Sequence, residues 1–452
     1  MSDKLFNDFP EITSKEWKQK IQVDLKGADY NETLIWKTNE GIDVKPFYHA
    51  DEFETLPENS KSQASKWAIC ETIFVTDAKK SNTQALQALN RGAESILFVI
   101  PNKDIVIDHL LNDIDNAQTP LHFHLQFLNS SFTETLTKST NKDNTFIHCD
   151  IIGNLAKSGN WFSNLNEDHK QLELIFKDTN TLSVDLSLYQ NAGATSVQQL
   201  AYALAHANEY LNYLKKQPLN NLKIVFNTTI GTNYFFEIAK LRALRLLWQT
   251  LASEYEANVN CHIFSIPTKR NKTLYDYNTN MLRSTTECMS AILGGANTVC
   301  NLAYDAIYHK NNEFGSRISR NQLLILKHES YFNKVNNPSD GAYYIESLTN
   351  QLAEKSLALF KDIEENGGFL HQLKEGTIQR KIKESAEKEQ EQFNSGDIVL
   401  LGTNKHPNLE DKMQNELELY PFVKTNTRKT LIEPIIEKRL AETHEQNRLQ
   451  TE

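Results

Sequence analysis

Between residues 67 and 304 the sequence switches eight times from a short strand-like run to a longer helical one. The strand-like runs fall at 70–75, 95–100, 122–128, 145–151, 182–187, 223–229, 261–266 and 298–303. The intervening stretches carry apolar residues at three- and four-residue spacing. In 196–216 the stripe is Val197, Leu200, Leu204, Ala207, Leu211 and Leu214, with Ser196 and Gln199 suited to a capping box at its start. In 234–255 it is Ile238, Leu241, Leu244, Trp248 and Leu251. Strands that alternate with helices demand parallel pairing, and eight such units close more readily into a (β/α)8 TIM barrel than into a doubly wound open sheet. The expected class is therefore α/β, with a barrel over 51–365.

The flanks read differently. In residues 1–50, Trp17, Ile21 and Leu25 suit one short helix, and Asn39-Glu40-Gly41 suits a turn. So few anchors cannot form a core alone, so an extended arm lying on the barrel or on another chain is expected. Residues 366–452 read as a helical tail, with a charged helix over 377–393 and an amphipathic one over 431–449. The segment 337–348 reads as a turn and a short strand, followed by a helix over 349–365.

Composition removes several function classes. A formal net charge of −10 opposes a nucleic-acid surface, which needs a basic stripe. No run approaches the ~18 apolar residues of a membrane span, and charges interrupt the N-terminus where a signal peptide needs an apolar core. Five cysteines without a CxxC pair read as reduced core thiols. A cytoplasmic protein is expected.

Strand geometry sends alternate residues to opposite faces. His122, His124 and Gln126 alternate with Leu121, Phe123, Leu125 and Phe127. His148 shares a face with Asp150; so do Ser183, Asp185 and Ser187, and Asn227 with Thr229. The apolar set must meet the helices, so the polar set is expected to face the lumen, as in a bore that once admitted a polar ligand. Two readings of His122, His124, His148 and Asp150 then compete. They could bind a metal and serve a stand-alone repurposed barrel enzyme, or they could form a hydrogen-bonded filling of the bore. HExxH spacing is absent, which favours the filling, and no metal site is expected.

Other chemistry is sparse. GxSxG, GxGxxG and P-loop patterns do not occur. Gly294-Gly295-Ala296 suits a helix-to-strand turn. Asp150 and Asp185 could make a carboxylate pair for glycoside chemistry, but Asp185 reads as lying within a strand rather than at its mouth. Arg317 and Arg320 could clamp an anion or make intramolecular ion pairs; the second is the simpler expectation.

Several longer runs bear on function together. They include LIWKTNEGIDVKPFY, NAGATSVQQLAYALAHANEYL, NYFFEIAKLRALRLLW, YDYNTNMLRSTTECMSAILGGAN, EFGSRISRNQLLILKHES, NPSDGAYYIESL and RKTLIEPIIEKRLAETHEQNRL. In this order the chain resembles the methylmalonyl-CoA mutase family, and within it the small subunit of the heterodimeric enzymes. The resemblance implies an adenosylcobalamin-dependent isomerase complex that interconverts methylmalonyl-CoA and succinyl-CoA. In catalytic chains of that family the bore takes the pantetheine arm of CoA. A glycine-tyrosine-histidine turn there corresponds to Leu186, Ser187 and Leu188 here. The family's threonine-isoleucine-glutamine segment corresponds to Phe146, Ile147 and His148, and its substrate-carboxylate arginine to Ser158. The expected arginine-glutamine-tyrosine motif is missing between Asp51 and Trp67, and the DxHxxG of a flavodoxin-like cobalamin domain does not occur. The resemblance thus implies a chain with no catalytic residues, no cofactor of its own, and a larger catalytic subunit as partner that carries adenosylcobalamin.

Overall fold

The computed structural model describes residues 9–57, 60, 63–424 and 427–452; the first eight residues of the expected arm lie outside it. Eight parallel strands form one sheet: β1 Ala68–Phe74, β2 Ser95–Ile100, β3 Leu121–Leu125, β4 Thr145–His148, β5 Thr181–Asp185, β6 Lys223–Ile230, β7 Cys261–Pro267 and β8 Thr298–Cys300. Their spatial order is β4-β3-β2-β1-β8-β7-β6-β5. The end strands β4 and β5 meet without a ladder, and the Asp185 amide donates across the seam to Asp150 at 2.8 Å. The result is a nearly closed TIM-like barrel, as the alternation predicts.

Side-chain parity also follows the prediction. Ile69, Ile96, Phe98, Leu121, Phe123, Ile147, Leu182, Val184, Ile224, Phe226, Ile263 and Val299 join one apolar core with the surrounding helices. Burying each such side chain contributes roughly 1.5–3 kcal/mol, so this layer dominates the stability of the fold.

Several strands end earlier than expected, β3 at Leu125, β4 at His148 and β8 at Cys300, and local signals shift with more consequence in four further places. The long helix Ser196–Leu214 is capped by Thr195 with Gln198, not by Ser196 with Gln199. Thr195 is extended and accepts from the Gln198 amide at 3.2 Å, while the Ser196 amide is already helical and donates to Glu40 of the arm at 3.0 Å. The strand expected over 182–187 ends at Asp185, because Leu186 turns helical and Ser187 donates its amide to the Asp185 carboxylate at 2.9 Å. The segment read as a short strand before 349 instead opens the helix Tyr343–Glu365. Its Glu346 is drawn in by buried Arg242 at 2.7 Å. The amphipathic helix expected over 431–449 exists only as Glu442–Leu449. Pro434 has no amide to donate and disfavours helical backbone before it. The neighbouring amides go to the barrel instead, from Leu431 to Gly159, Ile435 to Ala156, Lys438 to Asn191 and Leu440 to Arg270. Residues 428–441 are therefore a strap rather than a helix.

The arm forms a helix, Ser14–Asp24, with no buried residue, and a two-rung hairpin of Trp36–Lys37 with Asp43–Val44. Trp17 stacks on Phe47 at 4.6 Å. The described cysteines are all free thiols, and among the described residues no helix is long and apolar enough to cross a membrane.

Candidate functional site

Catalytic groups on this fold sit where strands end and loops begin. After β5 that place is a single helical turn, Ser187–Asn191, with Leu188 as its second residue. Leu188 is buried and belongs to the main apolar core. Its branched hydrocarbon has no proton to give or take. Ser158, at the end of helix Ile151–Ser158, uses its hydroxyl on the Asn160 carbonyl at 2.7 Å, and its own carbonyl accepts from Arg428 at 2.5 Å.

The polar residues singled out in the sequence do not form one group. Asp185 ends β5 and so stands at the mouth, a correction to its expected place inside the strand. Asp150 has left the β4 face, since β4 stops at His148, and caps helix Ile151–Ser158 through the Gly153 amide at 2.7 Å. It also accepts from Tyr210 at 2.6 Å, lies 2.9 Å from His206, and takes the Asp185 amide. Burial pushes the Asp150 carboxyl up, but His206, Tyr210 and the Gly153 amide outweigh it and hold the pKa below its ordinary value. Burial raises Asp185. A carboxylate already answering four donors is not a free base. His206 further contacts Tyr189 at 3.1 Å, completing a buried network that strand reading could not reveal. The only trace of it in the sequence is that His206 and Tyr210 lie four apart on one helical face.

The bore is filled. His122 Nδ1 meets His148 Nε2 at 2.9 Å, and Thr298 lies between His262, at 3.0 Å, and His122, at 3.4 Å. Rings close around them. His122 stacks on Phe146 with centroids 4.7 Å apart and meets Phe264 at 4.8 Å, while Phe146 meets His262 at 4.2 Å. β3 and β7 stand four places apart in a ring of eight strands, directly opposite each other. Side chains touching across that diameter leave no channel along the axis. Cys70, Leu97, Val225 and Cys300 complete an apolar lining. The polar residues do meet in the bore, as hydrogen-bonded filling, but the histidines sit in a plug that is half aromatic and aliphatic. His262 and Phe264 were detectable by the same alternation that marked His122, but their pairing across the barrel required closure.

Burial governs the plug's electrostatics. It drives the His122 pKa well below the ordinary value and His148 and His262 to about 3, with neighbouring imidazoles, or Arg245 for His262, adding to the effect. The three rings are neutral at pH 7. His124 lies beside His148 in the β3–β4 register and is also lowered by burial, which outweighs the nearby Asp185 charge. Gln126 lies past the end of β3 and is exposed. Among the described residues no three His, Cys, Asp or Glu side chains are placed to share a metal ion. Arg320 pairs with Glu71 of β1, and Arg317 lies over the Phe314 ring, so neither is poised as an anion clamp.

The tail covers the mouth. Helix Thr377–Ser395 packs on the turn after Asn191, where a Cβ on Gly193 would come within 2.5 Å of Ala386 Cβ and 2.7 Å of Arg270 Nη2. With φ at +99°, Gly193→Ala should cost about 2 kcal/mol or more, read as a lowered denaturation midpoint. The strap crosses above it, tied by the barrel hydrogen bonds given earlier and by Arg439, which donates to the Lys272 carbonyl at 3.0 Å. Leu188 is thus enclosed from below by the core and from above by the chain's own tail.

A bore filled by side chains is ordinary for this fold, so it does not by itself identify the family, and sequence comparison does. A family model described as methylmalonyl-CoA mutase matches residues 120–451. The chain belongs to the methylmalonyl-CoA mutase family. It is 33% identical to the methylmalonyl-CoA mutase small subunit of Porphyromonas gingivalis, over 92% of this chain and 73% of that one. It is 26% identical to the small subunit of Propionibacterium freudenreichii, over 81% of this chain and 64% of that one. To the methylmalonyl-CoA mutase of Rhizobium meliloti it is 27% identical, over 90% of this chain and 65% of that one. The chain therefore spans about two thirds to three quarters of these relatives. Within the mutase family it is a small-subunit homologue.

Proposed function

We propose that this chain is the non-catalytic small subunit of an adenosylcobalamin-dependent methylmalonyl-CoA mutase, and that it stabilises a larger catalytic partner. The carrying observation is the plugged bore: His122, Phe146, His262 and Phe264 meet across opposite strands where a catalytic relative would thread a CoA arm. The buried Leu188, in place of an acid–base side chain, supports the same reading. The mouth does not fit adenosylcobalamin. Such a bulky group needs an open face over the turn after β5, and helix Thr377–Ser395 and the strap lie across that turn. No step of the reaction is assigned to this chain.

Co-expression with the larger mutase chain should give a stoichiometric complex that turns over methylmalonyl-CoA, while this chain alone gives none. A large chain that is fully soluble and active without complex formation would remove the reading; so would turnover by this chain alone. Restoring the expected side chain is a second test. Leu188→His should leave the isolated chain inactive and lower its stability by about 2–4 kcal/mol, because the imidazole enters an apolar site without a partner. Measurable turnover by that variant would mean that the bore opens in solution.

A further inference from the structure

The strap, the preceding tail and the barrel mouth line an open cavity of about 860 Å³. Its cations come from three separate parts of the chain. Lys157 lies near the end of the helix after β4, Lys269 in the loop after β7, and Lys424, Arg428 and Lys438 in the tail. Arg270 and Arg439 also line it, against only two carboxylates, Glu437 and Glu442, in a chain with a net charge of −10.

Two of these cations are committed to structure. Arg270 bonds Glu389 at 2.6 Å and the Lys438 carbonyl at 2.8 Å, and Arg439 lies 2.7 Å from Glu445. The others are held less firmly. Lys157 stands 3.9 Å from Glu437, a long and exposed ion pair. Arg428 donates to a carbonyl, which leaves its charge unanswered. Among the described residues the ammonium groups of Lys269, Lys424 and Lys438 have no carboxylate partner.

Isolated surface lysines are solvated and need no ligand. Here four exposed cations without a carboxylate partner, Lys269, Lys424, Arg428 and Lys438, converge with Lys157 on one concave space whose wall includes Ile307, Pro421, Phe422 and Ile435. Apolar walls focus the field of such a group and raise the local concentration of anions. Like charges held together repel one another, and a bound polyanion relieves that repulsion. Compact ammonium groups suit phosphate oxygens, and their convergence on a single space suits a compact ligand better than an extended acidic peptide.

We propose that this cavity is a binding site for a polyphosphate group, either free or carried by a nucleotide. The proposal rests on the cavity alone and does not depend on the subunit reading. Tripolyphosphate and ATP would be titrated separately into the purified full-length protein at about 0.15 M salt. Saturable binding to one site per chain is expected, with a rise in thermal midpoint. Lys269→Ala with Lys438→Ala should weaken it roughly tenfold or more. The control pair Lys79→Ala with Lys80→Ala, on an exposed helix away from the mouth, should not change it. Tighter binding of ATP would assign a nucleotide whose base meets Tyr420 or Phe422, and equal binding would assign the phosphates alone. Non-saturable binding, equal losses in both double variants, or binding of a polyglutamate peptide in place of either phosphate compound would overturn the proposal.

Discussion

Moving from pH 7 to pH 5 should lower the folding stability of this chain by several kcal/mol. The cause is the bore plug. His148 and His262 titrate near 3 in the folded barrel and His122 also lies well below its ordinary value, against about 6.5 in the unfolded chain. Between those values the unfolded chain binds more protons, so stability rises with pH there. It is fully present above about 6.5 and is lost as pH falls toward 3. At pH 5 His148 and His262 each contribute a loss of about 2 kcal/mol, and His122 adds to it in the same direction. Such a loss is a large fraction of the total stability of many domains, roughly 5–15 kcal/mol. Buried carboxyls work the other way: burial raises Asp185 and Glu287, so they take up protons in the folded state first. A variant isolates the plug. His262→Gln can still bond Thr298 but does not titrate, and its loss between pH 7 and pH 5 should be smaller by about 2 kcal/mol. Urea midpoints at the two pH values give the comparison. An identical fall in both proteins would show that the acid sensitivity lies elsewhere.

Much of this arrangement was legible before any coordinates, and the rest was not for physical reasons. Alternation along each strand depends only on local geometry, so the eight strands and the lumen side of His122, His148 and Asn227 could be read from residue order. Which lumen residues touch depends on closure. Nothing in the sequence states that residue 122 lies across from residue 264, since strand opposition is set by the whole ring. Asp150 illustrates a second limit. Its parity places it in the lumen, but the strand ends two residues earlier and Gly153, Tyr210 and His206 capture the carboxylate. Helix periodicity failed for the strap because 431–449 has the right spacing but also contains Pro434, and because the barrel loops offer carbonyls that compete with helical partners. The family resemblance located Leu188 and Ser158. The packed environment that keeps an inserted imidazole unpartnered at the first of them came only from the fold.

The strap offers the sharpest test of how the mouth is kept closed. Arg439→Ala should cost about 3–5 kcal/mol. The guanidinium is nearly inaccessible; it serves the Lys272 carbonyl at 3.0 Å and the Pro421 carbonyl at 3.1 Å, and lies 2.7 Å from Glu445. Glu445 in turn receives the Leu274 amide at 2.6 Å. Alanine leaves the buried Glu445 charge without its cation and two carbonyls without a donor, and an unpaired buried charge is the expensive outcome. Removing both charges, in Arg439→Met with Glu445→Met, should recover part of the loss, because two apolar side chains of similar length carry no uncompensated charge. Stability alone could not separate a loosened strap from a general weakening. Amide exchange can: Lys438 and Leu440 donate to Asn191 and Arg270 of the barrel loops. Those two amides should exchange much faster in Arg439→Ala, while amides of β3 and β7 change only as global stability dictates. Equal acceleration at all four places would mean that the strap and barrel unfold as one unit and that Arg439 holds the whole fold rather than the cover. Selective acceleration would make Arg439 the anchor that keeps the tail over the turn bearing Leu188.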